Sequence, residues 1–355
     1  MIDTVFYDSA TVLGKVLAFV LFAVGLVLVV KGGDWFVDAA SWIARAAKIP
    51  TFIIGATIVS FATTLPEMIV SVTAIIKGEP GCNDMAIGNA IGSVTANTAM
   101  IMALALIFMA VTASRKRFLE QFLLLIGSAA FLWVGCFQKN AAGEHELQLW
   151  ACIVLFIIFV VFMVYNVQDA RQGNSELEGA EEEEEFEFSK KGMVKQVVMF
   201  IIGALAIVAG STLLIDHGTV IAQDVFKVPE RIVAITLVAI GTSLPELVTT
   251  ITAIRKKEAN LSVGNIVGAN IIDLSLILPI CKFVAMGKEN GTGTAIPFTI
   301  PLDSFRIDMP LCLGVTLIAI VPMLIKQKGY KAQGIAMLAV YAVYIGFSAV
   351  RAFAA

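Results

Sequence analysis

The sequence predicts an all-α integral membrane protein of ten transmembrane helices, arranged as two inverted five-helix repeats with broken helices at a central site. Three observations carry this prediction. The 355 residues are 58% hydrophobic and only 15% charged, with a mean hydropathy of +0.88, which exceeds what the core of a soluble domain requires. Apolar stretches of about 20 residues, each able to cross about 30 Å of hydrocarbon as a helix, recur along the chain. One half of the chain repeats the other.

The apolar stretches define the expected elements in order. We place the spans at 11–31, 52–76, 85–113, 118–137, 147–166, 193–215, 231–254, 262–286, 309–325 and 333–352. The first stretch lacks a basic region and a small-residue cleavage site before and after it, which predicts a retained helix rather than a signal peptide. Most of the 25 Lys and Arg residues follow the odd-numbered spans. Since basic connections stay in the cytoplasm, we expect both termini to lie outside a plasma membrane. The compact central connection suggests that this membrane is a prokaryotic inner membrane.

Two segments of the sequence occur twice. Residues 57–75, TIVSFATTLPEMIVSVTAI, align without gaps on residues 236–254, TLVAIGTSLPELVTTITAI, and nine of the nineteen positions are identical. Downstream, GNAIGSVTAN at 88–97 aligns with GNIVGANIID at 264–273. Each half holds five predicted spans, and an odd number means that the second copy inserts upside down. Inverted halves are a recurring architecture of secondary transporters, with the substrate site at their interface near the bilayer midplane.

The repeat also predicts the domain organisation. The first five-helix repeat covers 1–167 with its motif at 55–97, and the second covers 193–355 with its motif at 234–273. A glutamate-rich linker, 168–192, joins the two on the cytoplasmic side, and its composition favours a solvated segment. The expected partner is the lipid bilayer, whereas nothing implies a nucleic acid, and the sequence leaves the oligomeric state open.

Two carboxylates lie in the middle of predicted spans. A charged side chain at the centre of a membrane helix costs about 2.5 to 3.5 kcal/mol on insertion scales, so Glu67 and Glu246 are expected to face a cavity or a partner. Neither span offers a central Lys or Arg as that partner. Each acid follows a proline, Pro66 or Pro245, which lacks an N–H and frees the carbonyl four residues earlier. Broken helices of this kind supply carbonyl ligands to ions.

Polar residues accompany both acids at helical spacing. Hydroxyls three and four residues before each glutamate share its side of the helix, and in the following spans polar residues recur every fourth position. The candidate ligands beside the glutamates are Thr63, Thr64 and Ser60 near Glu67, and Thr242 and Ser243 near Glu246, with the Ala239 carbonyl in place of a hydroxyl. The single-faced stripes of the following spans are Asn89, Ser93, Asn97 and Asn265, Ala269, Asp273, of which Ser93, Asn97 and Asp273 are candidate ligands.

This set of oxygens predicts the chemistry of the ligand. Carboxylate, hydroxyl, amide and carbonyl oxygens without His or Cys select hard cations, and a flexible site with several carboxylates suits Ca²⁺ better than Mg²⁺. Two glutamates neutralise one Ca²⁺, and the same oxygens could instead hold Na⁺. Mutually exclusive occupancy would give exchange of one cation for the other.

The paired motifs resemble those of the cation/calcium exchanger superfamily, specifically its sodium/calcium exchanger-like members, whose two alpha-repeats carry G-T-S-x-P-E followed by G-N-x-x-G-S-N-like segments. The resemblance spans nearly the whole chain. It implies an antiporter that exchanges Ca²⁺ for Na⁺ by alternating access, without a cofactor and without enzymatic activity. It implies these cation ligands: Glu67, Thr63, Thr64, Ser93 and Asn97 in the first repeat, Glu246, Thr242, Ser243 and Asp273 in the second, and the backbones of Ser60 and Ala239.

Three departures from the family pattern keep alternatives open. Ala62 and Thr64 turn the first motif into A-T-T, and Ala269 stands where a serine ligand is usual, which leaves the stoichiometry open. Asp273 in place of Asn is similar to the potassium-dependent branch and leaves potassium coupling open. A proton/calcium antiporter is the main alternative, although an acid expected after the G-N-A segment in that branch is absent. A passive cation channel is disfavoured because channel filters usually lie on an axis normal to the membrane.

Overall fold

The computed structural model describes residues 11–47, 49–78, 81–109, 111, 115–172, 190–227, 241, 243–287 and 297–354. They are mostly helical. Counting each helix through any π-helical turn inside or directly beside it, the helices are α1 (Val12–Ala47), α2 (Thr51–Lys77), α3 (Cys82–Phe108), α4 (Arg115–Gly135), α5 (Leu149–Gln172), α6 (Lys190–Val220, continued by the π-helical turn Ile221–Val225), α7 (Leu244–Lys256), α8 (Ala259–Met286), α9 (Ser304–Lys326) and α10 (Lys331–Ala354).

Seven of the described helices are long and apolar enough to cross a membrane: α1, α2, α3, α5, α6, α8 and α9. The apolar part of α4, Leu119–Gly135, is shorter. Helix α7 begins only at Leu244, and residues 228–240, which belong to the predicted span 231–254, lie outside the described residues. A multi-pass membrane protein is therefore confirmed, while the full set of ten spans stays a prediction. Of the acidic linker, residues 173–189 lie outside the described residues.

The first predicted span ends too early. Helix α1 continues from the expected end at residue 31 to Ala47, so residues 32–47, which the predicted spans place in a connection, are helical. Within this extension, Asp38 forms an ion pair with Lys256 at the end of α7, at 2.5 Å, and Phe36 and Val37 pack in a buried apolar cluster. Hydropathy detects only the part of a helix inside hydrocarbon, so it misses an extension that packs against the rest of the protein.

Helices α1 and α6 pack closely through small residues. A Cβ on Gly25 would lie 2.9 Å from the carbonyl oxygen of Gly210, and one on Gly32 would lie 2.9 Å from that of Gly203. The lower-numbered glycine of α1 meets the higher-numbered glycine of α6, so the two helices run antiparallel. Small residues at such crossings let membrane helices approach backbone to backbone.

The first half of α2 packs equally closely on α8 at the centre of the molecule. A Cβ on Gly264 would lie 2.2 Å from the carbonyl oxygen of Phe52, and one on Gly268 would lie 2.2 Å from the Ser60 hydroxyl. The apolar residues beside these glycines in α8 belong to the main hydrophobic core. Gly264 and Gly268 therefore allow α8 to approach α2 closely.

The predicted break at Pro66 is wrong, because the α-helical segment Ser60–Lys77 runs through this proline. The missing N–H leaves the Ala62 carbonyl without its usual helical donor, but the helix continues beyond it. A π-helical turn, Gly55–Val59, lies immediately before this segment. Such local adjustments allow membrane helices to contain proline.

At each end of the helices, two of the connections between helices contact each other. Between α4 and α5, strand β1 (His145–Glu146) pairs antiparallel with β2 (Thr299–Ile300), which lies between α8 and α9. At the other end, the Gly329 N–H, between α9 and α10, donates to the Val111 carbonyl, between α3 and α4, at 3.1 Å. In each of these contacts, the two connections were predicted to lie on the same side of the membrane.

Candidate cation site

Four helices, α2, α3, α7 and α8, carry the predicted ligands, and the structure buries all of those it describes. No more than 2% of each residue is exposed for Ser60, Thr63, Thr64, Glu67, Ser93, Asn97, Ser243, Glu246 and Asp273. Thr242 and Ala239 lie outside the described residues. In a protein of this hydropathy, such a concentration of polar side chains in the core requires a specific reason.

The second glutamate lies at a helix start. Helix α7 begins at Leu244 with Ser243 at the N-cap and Pro245 in the first turn, a position that suits proline because its missing N–H would have no helical partner there. The interruption expected beside Pro245 is therefore present, unlike the one expected at Pro66. Glu246 lies in the first turn of α7, where the helix dipole favours negative charge.

Asn97 and Asp273 occupy matching irregularities in their helices. Asn97 is the first residue of the π-helical segment Asn97–Met102 in α3, and Asp273 is the first residue of Asp273–Ile277 in α8. The two residues are aligned in the sequence repeat. Single π-helical turns inside α-helices occur frequently at functional sites, and neither turn was visible in the hydrophobic pattern.

Many oxygens and hydroxyls of the candidate site have no hydrogen-bond partner among the described residues. This group comprises the two carboxylate oxygens of Glu67, the two carboxylate oxygens of Asp273, Oε2 of Glu246, Oδ1 of Asn97, Oγ1 of Thr64 and Oγ of Ser243. A buried polar atom without a partner costs about 1 to 3 kcal/mol, and more for a charged group. A cation bound among these oxygens would compensate this cost.

The three acids interact electrostatically. Glu67 is close enough to both Glu246 and Asp273 for their charges to repel, and Asp273 also interacts with Glu246. Across the described residues, however, no three acidic, His or Cys side chains form a group able to hold a metal by themselves. A cation here would therefore need neutral oxygens as well as carboxylates, as the hydroxyl and amide candidates predict.

Hydrogen bonds connect the two sequence halves beside the acids. The Thr63 hydroxyl contacts Oδ1 of Asn265 at 3.2 Å and also lies near the Glu246 carboxylate. Asn265 Nδ2 donates to the Thr249 hydroxyl at 3.0 Å, which in turn donates to the Glu246 carbonyl at 2.9 Å. Thr249 was not among the sequence candidates, although its position three residues after Glu246 places it on the same side of the helix.

The repeat-mate of Asn265 makes a similar contact in the first half. Asn89 Nδ2 donates to the Glu67 carbonyl at 3.1 Å and to the Ser71 hydroxyl at 2.9 Å. In both halves an asparagine of the second motif thus bonds to the helix that carries the glutamate. Ser93 lies four residues after Asn89 on the same helix and is buried.

Comparison with known proteins identifies the family. The sequence model described as sodium/calcium exchanger protein matches residues 17–168 and 195–350. The inner membrane protein YrbG of Escherichia coli is 34% identical over 301 residues, which cover 83% of this chain and 89% of that protein. The sodium/calcium exchanger MaX1 of Methanosarcina acetivorans is 24% identical over 92% of this chain and 97% of its own length.

A solved structure shares the fold. The sodium-calcium exchanger NCX_Mj, soaked with Na⁺ and Sr²⁺, superimposes with a TM-score of 0.73 at 27% identity, and the match covers 94% of this chain and 99% of that one. These relatives are exchangers and membrane proteins, not enzymes. The chain therefore belongs to the sodium/calcium exchanger family of multi-pass membrane proteins.

Proposed function

We propose that this protein is a secondary active antiporter that exchanges Ca²⁺ for Na⁺ through the site between α2, α3, α7 and α8. The observation that carries the proposal is the group of buried oxygens without partners, contributed by Glu67, Glu246 and Asp273 together with Thr64 and Asn97. Hard cations take such oxygen ligands, and Ca²⁺ accepts six to eight of them in flexible geometry. The assigned activity of relatives such as the exchanger MaX1 agrees with it.

The packing of α1 on α6 supports the proposed inverted repeats. Gly25 and Gly203 stand at the same offset along the chain as Gly32 and Gly210, while Gly25 contacts Gly210 and Gly32 contacts Gly203. Such reciprocal contacts are expected where two equivalent elements are related by a two-fold axis. An axis of this kind, lying in the membrane plane, would relate the proposed repeat 1–167 to the repeat 193–355 and place the site between them.

The connections support the proposed orientation of the chain. Strands β1 and β2 join two connections that the positive-inside rule assigns to the outside, and Gly329 and Val111 join two that it assigns to the cytoplasm. An alternation of sides along the chain accounts for both contacts. With both termini outside, the acidic linker 168–192 is cytoplasmic.

The deciding experiment is ⁴⁵Ca²⁺ uptake into proteoliposomes loaded with sodium, potassium or choline at one pH. Uptake driven by an outward sodium gradient and absent from Glu246→Gln is the expected result. Glu144→Gln, an exposed acid between α4 and α5, is the matched control and retains uptake. Uptake that ignores sodium and follows a pH gradient would instead establish the proton/calcium antiporter.

Potassium coupling is a second candidate, favoured by Asp273. This acid replaces the asparagine found at the matching position of the first repeat, so the second half contributes one more charge to the site. A requirement for potassium together with calcium on the same side, lost in Asp273→Asn while sodium-driven calcium uptake persists, would establish it. Equal uptake with and without potassium in the wild type would exclude it.

A further inference from the structure

We infer that Asn265 is a positioning residue that keeps the Thr63 hydroxyl available as a cation ligand and so joins the two halves of the site. The inference rests on the proposed function of the site. Asn265 is 1% exposed, and its side chain lies between Thr63 of α2 and Thr249 of α7. It is therefore attached to both sequence halves at once.

The hydrogen bonds fix the orientation of the Asn265 amide. The Thr249 hydroxyl gives its proton to the Glu246 carbonyl at 2.9 Å, so towards Asn265 it can only accept. The amide nitrogen therefore faces Thr249, at 3.0 Å, and the amide oxygen faces Thr63, at 3.2 Å. An asparagine side chain offers two donor hydrogens and one acceptor oxygen, and this arrangement uses both kinds of group.

A hydroxyl can ligate a cation only through its lone pairs, so its proton must point elsewhere. The acceptors within reach of Thr63 are the Asn265 amide oxygen, the Ser60 carbonyl at 3.3 Å and the Glu246 carboxylate. The last two are themselves proposed cation ligands. Asn265 is thus the acceptor that takes the Thr63 proton without occupying an oxygen of the site.

The backbone of Asn265 adds a second connection between the halves. The Ser60 hydroxyl donates to the Gly55 carbonyl at 2.6 Å and lies 3.2 Å from the Asn265 carbonyl. The Ser60 side chain is therefore held between the π-helical turn of α2 and the backbone of α8. Because α8 packs on α2 at Gly264 and Gly268, these contacts have little freedom to rearrange.

Asn265→Leu tests the inference, since leucine has a similar size and no hydrogen-bonding group. Without the amide, the Thr63 proton turns to the Ser60 carbonyl or to Glu246, and the cation loses one oxygen in either case. We expect the half-saturating Ca²⁺ concentration to rise about tenfold, with a maximal exchange rate within about twofold of the wild type. Asn265→Asp keeps an acceptor for Thr63 and should recover at least part of the loss in affinity.

Asn270→Leu is the matched control. Asn270 lies on the same helix, is fully buried and donates to the Thr98 hydroxyl at 2.8 Å, but among the described residues its side chain forms no hydrogen bond with a proposed ligand. The Asn270→Leu variant should lower the melting temperature about as much as Asn265→Leu does, and it should leave the half-saturating Ca²⁺ concentration unchanged. Equal shifts in half-saturation for the two variants would reduce Asn265 to a packing residue and overturn the inference.

A double-variant cycle separates this inference from the proposed function. If Asn265 acts through Thr63, then Thr63→Val already removes the effect, and adding Asn265→Leu should change half-saturation by less than about twofold more. Fully multiplicative effects would refute the link to Thr63 while leaving sodium/calcium exchange intact. Absence of cation-dependent uptake in the wild type would refute the proposed function itself.

Discussion

At the scale of single residues, Ser243 has a fully buried hydroxyl that finds no hydrogen-bond partner among the described residues. Removing such a group costs no hydrogen bond, so Ser243→Ala should leave the melting temperature unchanged or slightly higher. The loss of a neutral ligand should raise the half-saturating cation concentration roughly fivefold, equivalent to about 1 kcal/mol. Flux assays and thermal melts on the same preparation measure both effects.

The control for Ser243 is Ser128→Ala. Ser128 is also fully buried, but it lies in α4 and donates to the Leu124 carbonyl at 2.9 Å. Its removal should lower the melting temperature slightly and leave cation affinity unchanged. A destabilised Ser243→Ala with normal affinity would show that this hydroxyl serves packing rather than ligation.

A Glu67 variant tests cation binding through the melting temperature of the protein. A ligand that binds only the folded protein stabilises it by about 2.7 kcal/mol at a hundredfold excess over its Kd, so Ca²⁺ should raise the melting temperature of the wild type. Glu67→Gln removes a buried charge without a partner, and we expect a higher melting temperature in the absence of cations and a lost response to Ca²⁺. Glu144→Gln should respond as the wild type does. A full Ca²⁺ response in Glu67→Gln would remove this acid from the site.

At the scale of one helix, Gln333 supplies a hydrogen-bond donor that Pro322 removes from helix α9. Pro322 lies inside α9 and has no N–H to offer the Ile318 carbonyl. The side chain of Gln333 in α10 donates to that carbonyl at 3.0 Å and also contacts the Ala319 carbonyl. Helix α10 thereby supplies the donor that the proline removed.

Gln333→Leu should therefore destabilise the protein by about 1 kcal/mol, because it leaves the Ile318 carbonyl without a donor. The melting temperature in detergent should fall, while the half-saturating Ca²⁺ concentration should not change, since neither helix carries a proposed ligand. Gln138→Leu, in the exposed connection after α4, controls for the change of residue type. An unchanged melting temperature would show that the Ile318 carbonyl is satisfied in another way.

Element prediction succeeded where the apolar stretch and the helix coincide and failed where packing within the protein decides. The apolar cores of α5 and α8 follow directly from the sequence. The extension of α1 to Ala47 does not, because it is held by apolar packing around Phe36 and Val37 and by ion pairs with α7. The continuity of α2 through Pro66 was likewise not predictable, since proline removes one helical hydrogen bond and the surrounding structure decides whether the helix continues.

At the scale of the whole molecule, the sequence indicated which residues would be buried together at the candidate site but not the bonds among them. Motif repetition drew attention to Glu67, Glu246 and Asp273 because each is an acid in an apolar span, and the structure buries all three. The bridge from Thr63 through Asn265 to Thr249 was not predicted, because it depends on how closely α2 approaches α8 and on which hydroxyl reaches which amide. Inverted repetition indicates which segments meet, and packing decides the atoms that touch.

Alternating access makes a prediction about the ion pairs between α1 and α7. Lys256 Nζ contacts Asp38 Oδ1 at 2.5 Å and the Asp34 carbonyl at 3.1 Å, and Arg255 lies 3.7 Å from the Asp34 carboxylate. These contacts join the peripheral helix α1 to the helix that carries Glu246. If α1 slides against the central helices during transport, the contacts must break in each cycle.

A covalent link at this position should therefore stop exchange without preventing binding. In an Asp38→Cys, Lys256→Cys variant that also carries Cys82→Ser, a short bifunctional thiol reagent should abolish ⁴⁵Ca²⁺ exchange and leave the Ca²⁺-dependent rise in melting temperature. Each single-cysteine variant treated with the same reagent should keep exchanging. Exchange that persists after complete cross-linking would mean that α1 and α7 move as one body, and the sliding surface would then have to lie between other helices.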